Sequence, residues 1–320
     1  MILKKNKLVI LALLLIIIFS IIFSIIFSSK NSNKECFQKQ YAICLWRQPR
    51  AIPVTIDSFH KNLAQPLDAD VFLVLNKTND DSDNNINMYN VNDSHKIIYD
   101  KPENVTQQFS IYDKLINYDN SKSASYVKES NLQILYNFNK INETFGELFE
   151  KNYKYIILLR SDFLHLFNFP NILELTDNKD DIFWSYDGHE YGGLNATLLC
   201  VPSKYIRNYL SCHYNALQDE NNIDKFNKMS SEQNLNIETF LQLQMNENNW
   251  KVGKIDNNAF LTAESGKETT TWGDINYDED KKVFYKYPEQ LKKSYNSLEK
   301  YNNRYKWTYS KDEEKIVLLP

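Results

Sequence analysis

The sequence predicts a single α/β domain with a mostly parallel, Rossmann-like sheet, set behind an apolar N-terminal segment. Short, wholly apolar runs of strand length recur along the chain, and segments with apolar residues at helical spacing separate them. The first such set (strand, turn, helix, strand) occupies about 35 residues, the span of a βαβ unit. Composition agrees: 42% of the 320 residues are apolar and 14% aromatic, enough to bury a core and to exclude wholesale disorder. A net charge of −4 leaves no basic field, so composition excludes a nucleic-acid partner.

The first element is Leu8 to Phe27, an uncharged run interrupted only by two serines. As a helix it is about 30 Å long, the thickness of the hydrocarbon core. A cleaved signal peptide would carry a shorter apolar region of about 7 to 15 residues, so the run predicts a transmembrane signal anchor in the lipid bilayer. Lys4, Lys5 and Lys7 keep the 1–7 tail cytoplasmic by the positive-inside rule. The rest of the chain then lies outside the cytosol, as in a type II membrane protein, in the Golgi or ER lumen of a eukaryote. Such a compartment is oxidising, and Cys36, Cys44, Cys200 and Cys212 could pair there. Cys44 and Cys200 also sit in apolar strands, where a thiol serves equally as a small core residue. Sequons at Asn76, Asn92, Asn104, Asn142 and Asn195 are potential glycosylation acceptors.

Residues 28–40 are polar and read as a stem, followed by a domain over 41–275. Tyr41 to Trp46 (YAICLW) is its first strand, and Ile56, Phe59 and Leu63 mark a helical stripe. VFLVLN after Asp70 is the next strand, buried on both faces as a parallel strand should be. KIIYD at Lys96 to Asp100 is a further strand. Leu132, Leu135, Phe138, Ile141, Phe145 and Leu148 then give one face of a long helix between Tyr126 and Glu150. YKYIILL, DIFWSY, TLLCV and WKVGKI are later strands, with helices expected from Pro202 to about Leu217 and from Ser231 to Asn246. Residues 276–320, charged and rich in Tyr, read as a helical extension.

In parallel α/β sheets ligands bind beyond the C-terminal ends of the strands, and that rule selects the candidate site. Arg47 and Arg50 follow the first strand, and Arg160 and Asp162 follow YIILL. Residues i and i+2 of an extended segment point the same way, so Arg160 and Asp162 can converge on one ligand. A carboxylate there can hold Mn²⁺ or Mg²⁺ bridging a diphosphate, and an arginine can grip phosphate oxygens directly; a structural ion pair is the plain alternative. Next comes Asp187-Gly188-His189-Glu190-Tyr191-Gly192-Gly193, which holds three of only seven glycines. Such clustering calls for positive φ or a close backbone approach. Asp68-Ala69-Asp70 precedes its strand, at the wrong end of the sheet, and no histidine pair has metal-ligand spacing.

YAICLWRQPR, DADVFLVL, YKYIILLRSDF, YGGLNATLLCVPSKYIRNYL and the N-x-E-T-F-L helix, in this order over residues 41 to 260, resemble a family of glycosyltransferases with a GT-A-like fold. That family carries R-x-D where D-x-D is usual. The resemblance implies a nucleotide-sugar donor and a glycan, lipid or protein acceptor. It implies that Gln48 and Arg50 flank the nucleotide, that Asp162 with Arg160 faces the diphosphate or its metal, and that Gly192, Gly193 and Asn195 line the acceptor side. Arg47 stands where the family has glycine, and Ala196 where an acidic residue often follows the Asn. An inverting transfer needs a carboxylate to take the acceptor proton. Glu238 is the first candidate for that base, with Asp187 next and Glu190 behind them; a retaining transfer needs no such base. The competing function is a non-catalytic membrane protein that keeps the fold and binds a glycan or a partner.

Overall fold

Every side chain of β1 (Tyr41–Arg47) up to Trp46 is buried, and alternate residues enter opposite cores. Ala42, Cys44 and Trp46 face one side; Tyr41, Ile43 and Leu45 face the other. Such a strand is stable only with a layer on each face. The computed structural model supplies both layers and describes residues 39–77, 85–100, 102–111, 129–188, 190–195, 197–233, 236–263 and 275–320. The anchor expected at 8–27, most of the stem, Cys36, His189 and Ala196 lie outside the described residues. Among the described residues no helix is long and apolar enough to cross a membrane.

From β1 the chain enters α1 (Ile52–Phe59), with proline in its first turn, and a π-helical turn over His60–Ala64. It returns in β2 (Asp70–Asn76), parallel to β1, which completes the expected βαβ unit. β3 (Lys96–Tyr99) adds a parallel edge strand. The long helix α2 (Glu129–Asn152) leads into β4 (Tyr155–Leu159), parallel to β1 on its other side. The buried stripe of α2 runs through Phe145 to Phe149, and Leu148 is exposed, because the 3.6-residue period drifts one position over that length.

β6 (Ile182–Tyr186) and β7 (Leu198–Pro202) follow, and β7 is antiparallel to both of its neighbours, β6 and β4. Between Tyr186 and Leu198 the chain is too short to carry a crossover helix, which takes a dozen or more residues. The connecting loop therefore stays at the sheet edge where β1 and β4 end. α4 (Ser203–Ala216), after the short helix α3 (Ile172–Leu175), packs with α2 on one face of the sheet. The single helix expected over 231–246 begins later: α5 (Ile223–Gln233) ends before Asn236, which caps α6 (Ile237–Glu247) with a reciprocal Asn236/Thr239 capping box.

β8 (Lys251–Ile255) pairs in parallel with β6. Beyond it, β5 (Phe163–His165) and β9 (Ala259–Leu261) form a two-stranded ribbon, and β10 (Asn276–Asp278) with β11 (Val283–Tyr285) forms another. The C-terminal segment is more than a helical extension. After α7 (Pro288–Asn302), β12 (Lys306–Ser310) and β13 (Lys315–Leu319) form a hairpin that joins the main sheet through β8. The order across that nine-stranded sheet is β12-β13-β8-β6-β7-β4-β1-β2-β3. It is a mixed sheet: β13-β8-β6 on one side and β4-β1-β2-β3 on the other are parallel, while β7 and the edge strand β12 are antiparallel to their neighbours. Cys44 and Cys200 are buried in opposite cores, and with Cys212 they are free thiols, so among the described cysteines the disulfide expectation does not hold.

Candidate functional site

The turn after β1 is tied to the turn after β4 by Ser161. Its hydroxyl accepts from the Arg50 backbone N–H at 2.8 Å and lies 3.2 Å from the Arg50 carbonyl and 3.3 Å from that of Gln48. Gln48 then accepts from Arg50 Nη2 at 2.6 Å, which fixes the guanidinium over this junction. Arg47 reaches the same place through an unusual backbone, φ 84°, a region that favours glycine. Arg47 thus holds a conformation that glycine adopts without strain.

Arg160 and Asp162 meet as a two-point fork, Nε to Oδ1 at 2.9 Å and Nη2 to Oδ2 at 2.5 Å, with both side chains buried. Burial alone would raise the Asp162 pKa, but the adjoining guanidinium outweighs it and holds the carboxyl below its ordinary range. The same partnership raises Arg160 against its own burial. A fourth cation arrives from a segment the sequence did not single out. The Lys286 N–H donates to the Leu261 carbonyl, and the Asp162 carbonyl accepts from Thr262, so the ribbon of β5 and β9 sets Lys286 beside the fork. Burial first, and then repulsion from Arg160, lower Lys286 to about 8. Arg47 is lowered to about 9, by burial and then by repulsion from Arg160 and Arg50.

Tyr287, next in sequence, connects this cluster to the helix carrying Glu238. Its phenol lies within electrostatic reach of Arg160, Tyr191, Asp162 and Glu238. Glu238 sits half-buried in the first turn of α6, and burial raises its carboxyl pKa. The glycine loop is clamped onto the same turn. Asn236 Nδ2 donates to the Tyr191 carbonyl at 2.9 Å, and the Leu194 N–H to the Glu238 carbonyl at 2.9 Å. Gly192 takes φ 88°, and a Cβ on Gly193 would lie 2.0 Å from the Glu238 carbonyl oxygen, so the expected close approach is real. Tyr191 stands 59% exposed at the mouth.

Other candidates are placed elsewhere. Asp187 pairs with Lys315 at 2.9 Å, and Glu190 with Lys254 at 2.8 Å. β13 beside β8, and β8 beside β6, bring those lysines to the loop. Burial would raise Asp187, but the Lys315 hydrogen bond and the surrounding lysines leave it lowered. Asn195 is buried and turned inward: Nδ2 donates to the Gly188 carbonyl at 2.8 Å, and Oδ1 accepts from the Thr197 N–H and hydroxyl at 3.0 and 2.6 Å. It fastens the loop on itself. Asp70, as expected, is away from the site and pairs with Lys39 at 3.0 Å.

Among the described residues no group of three or more His, Cys, Asp or Glu side chains could hold a metal ion. Asp162 itself has both oxygens engaged by Arg160 and is surrounded by cations, so its setting as placed does not fit a divalent cation. Sequence reading reached Arg47, Arg50, Arg160, Asp162 and Glu238 but missed Lys286 and Tyr287, which lie in an ordinary lysine- and tyrosine-rich stretch.

No family model matches this chain, and no curated protein matches it. Among solved structures, it is similar to mouse xyloside xylosyltransferase 1 in its apo form, with a TM-score of 0.40 and 11% identity over 68% of this chain and 85% of that one. It is also similar to core-mannan synthase A from Aspergillus fumigatus, in a Mn/GDP form, with a TM-score of 0.38 and 7% identity over 64% and 69% of the two chains. Both likenesses are distant, and the chemistry of this site rests on its own residues.

Proposed function

We propose that the chain is a membrane-anchored glycosyltransferase that moves a sugar from a nucleoside-diphosphate donor to a hydroxyl of a glycan, lipid or protein. One juxtaposition supports it above the rest. A cluster of Arg47, Arg50, Arg160 and Lys286 around Asp162 lies within reach of Tyr287, and Tyr287 lies within reach of Glu238. The cluster suits a leaving diphosphate, whose charge grows as the bond from the sugar's anomeric carbon to phosphate oxygen breaks. Glu238, with raised proton affinity, suits the base that takes the acceptor hydroxyl's proton as that oxygen bonds to the anomeric carbon. Asp187 is the weaker base, since Lys315 holds its charge. Tyr191, exposed and within electrostatic reach of Glu238, suits contact with an acceptor sugar.

Residues 8–27 supply the anchor in this reading, which leaves the site outside the cytosol in a type II arrangement. The test is nucleotide release by the full-length chain in detergent, from UDP- and GDP-sugars, with and without sugar acceptors. Glu238→Gln is expected to lower transfer by about 10²- to 10⁴-fold while nucleotide binding persists. Full transfer in that variant sinks the assignment of Glu238. Glycan binding with no nucleotide binding favours the non-catalytic reading.

A further inference from the structure

We propose that this site takes its nucleoside diphosphate without a divalent metal, the charge a metal would supply coming from Arg47, Arg50, Arg160 and Lys286. The inference rests on the glycosyltransferase reading and narrows it to a metal-independent enzyme.

The first ground is the state of Asp162. A divalent cation at an R-x-D site has one carboxylate to bind, and here a guanidinium spans both of its oxygens at 2.9 and 2.5 Å. A metal there would have to share a carboxylate whose charge Arg160 already neutralises, and would bury a second cation beside that guanidinium. Mn²⁺ and Mg²⁺ also need several oxygen ligands in a near-octahedral shell, and among the described residues no acidic or histidine cluster offers them.

The second ground is the surplus of positive charge. Arg47 feels Arg160 and Arg50 as repulsive neighbours; Lys286 feels Arg160, Arg50 and Arg47; and the attraction that each of them feels from a carboxylate is that of Asp162. Four cations facing one carboxylate repel a further cation and attract a polyanion. They come from the ends of β1 and β4 and from the segment after β11, which the fold brings within electrostatic reach of one another. Arginine forks match phosphate oxygens two at a time, and a lysine adds a compact point charge. Burial keeps these charges poorly screened by salt.

The third ground is that two of the four are held uncomfortably. Lys286 and Arg47 both have weakened proton affinity from burial and mutual repulsion, and Arg47 also keeps a backbone at φ 84°. A diphosphate reverses the repulsion at once. The like-charge crowding is thus relieved by the ligand, while a metal would increase it.

The experiment is titration of the full-length chain in detergent with UDP and with GDP, read by thermal shift and by calorimetry, in EDTA and again with added Mn²⁺ or Mg²⁺. One nucleotide is expected to bind in EDTA, with metal changing its affinity by less than about threefold. Loss of a charged phosphate contact costs roughly ten- to a hundredfold in affinity, so Lys286→Ala and Arg47→Ala are each expected to weaken binding in EDTA by that factor. Lys286→Arg should restore most of it, and the ligand-free melting temperature of each variant separates lost binding from lost folding. Binding that appears only on adding metal overturns the inference and leaves the glycosyltransferase reading standing. Binding in neither condition overturns both. Undiminished binding by a folded Lys286→Ala removes Lys286 from the site.

Discussion

Arg160 and Asp162, two residues apart at the end of β4, close on each other through two hydrogen bonds while buried at the mouth of the sheet. A pair this tight can serve the fold, the ligand or both, and substitution separates the roles. Removing one member of a buried pair strands the other and costs roughly 3–5 kcal/mol. Asp162→Ala should be destabilised by about that much in urea unfolding, since Arg160 would then face only cations. Replacing both, as in Arg160→Met with Asp162→Leu, should recover most of the stability and none of the nucleotide affinity. A double variant that binds UDP or GDP as the natural chain does would reduce the pair to a structural device.

At Arg47 stability and binding should move in opposite directions. A non-glycine residue at φ 84° carries strain of roughly 1–3 kcal/mol, and glycine there loses only about 0.5–1 kcal/mol through its unfolded-state freedom. Arg47→Gly also removes one of four crowded cations. The ligand-free variant is therefore expected to gain about 1 kcal/mol in denaturant midpoint measurements, and to bind nucleotide about tenfold more weakly. A variant that is both less stable and equally tight in binding would contradict the strained-cation account.

Much of the scaffold was legible because its signals are local. Tyr41 to Trp46, Val71 to Leu75 and Tyr155 to Leu159 are continuous apolar runs, as strands covered on both faces read. The rule that ligands gather at the strand ends then led from sequence to Arg50, Arg160 and Asp162. What stayed hidden depends on pairing between distant segments. The antiparallel β7 is dictated by a short loop whose length was visible but whose partner was not. Lys315 reaches Asp187 only because β13 adds to β8, and so a candidate base proved to be half of an ion pair. Lys286 is one lysine among many until the Thr262 and Leu261 hydrogen bonds place it at the site. The glycine loop was half read. Its close approach was foreseen, but Asn195 faces inward.

Gly193 tests whether that loop belongs to the chemistry. An added Cβ would strike the Glu238 carbonyl, and backbone cannot rotate away as a side chain can. Gly193→Ala must push the loop off α6 and strain the Leu194 to Glu238 hydrogen bond, at a cost of about 1–3 kcal/mol. Because the cations stand on other segments, nucleotide affinity should be retained within about twofold. Transfer to a sugar acceptor should fall by at least about tenfold, since Glu238 and Tyr191 would no longer hold their places. Equal loss of both activities would place the loop in general folding and take it out of acceptor positioning.

The pH response of Lys286 follows from its depressed proton affinity, and its sign differs for folding and for binding. Its folded pKa is about 8, below the ordinary lysine range of the unfolded chain. Below pH 8 the group is charged in both states, and the folded protein bears the whole repulsion. As pH rises through about 8 toward the ordinary lysine range, the unfolded chain holds more protons than the folded one, so ligand-free stability rises. A diphosphate prefers the charged lysine, so above pH 8 binding must draw in a proton, and affinity should fall by up to about tenfold per pH unit. Lys286→Arg keeps its charge through this range and should flatten both trends. Melting curves and nucleotide titrations from neutral pH to about 9 measure the two slopes. Opposite signs in the natural chain, both damped in the arginine variant, place Lys286 on the ligand; slopes unchanged by the substitution assign the titration to another group.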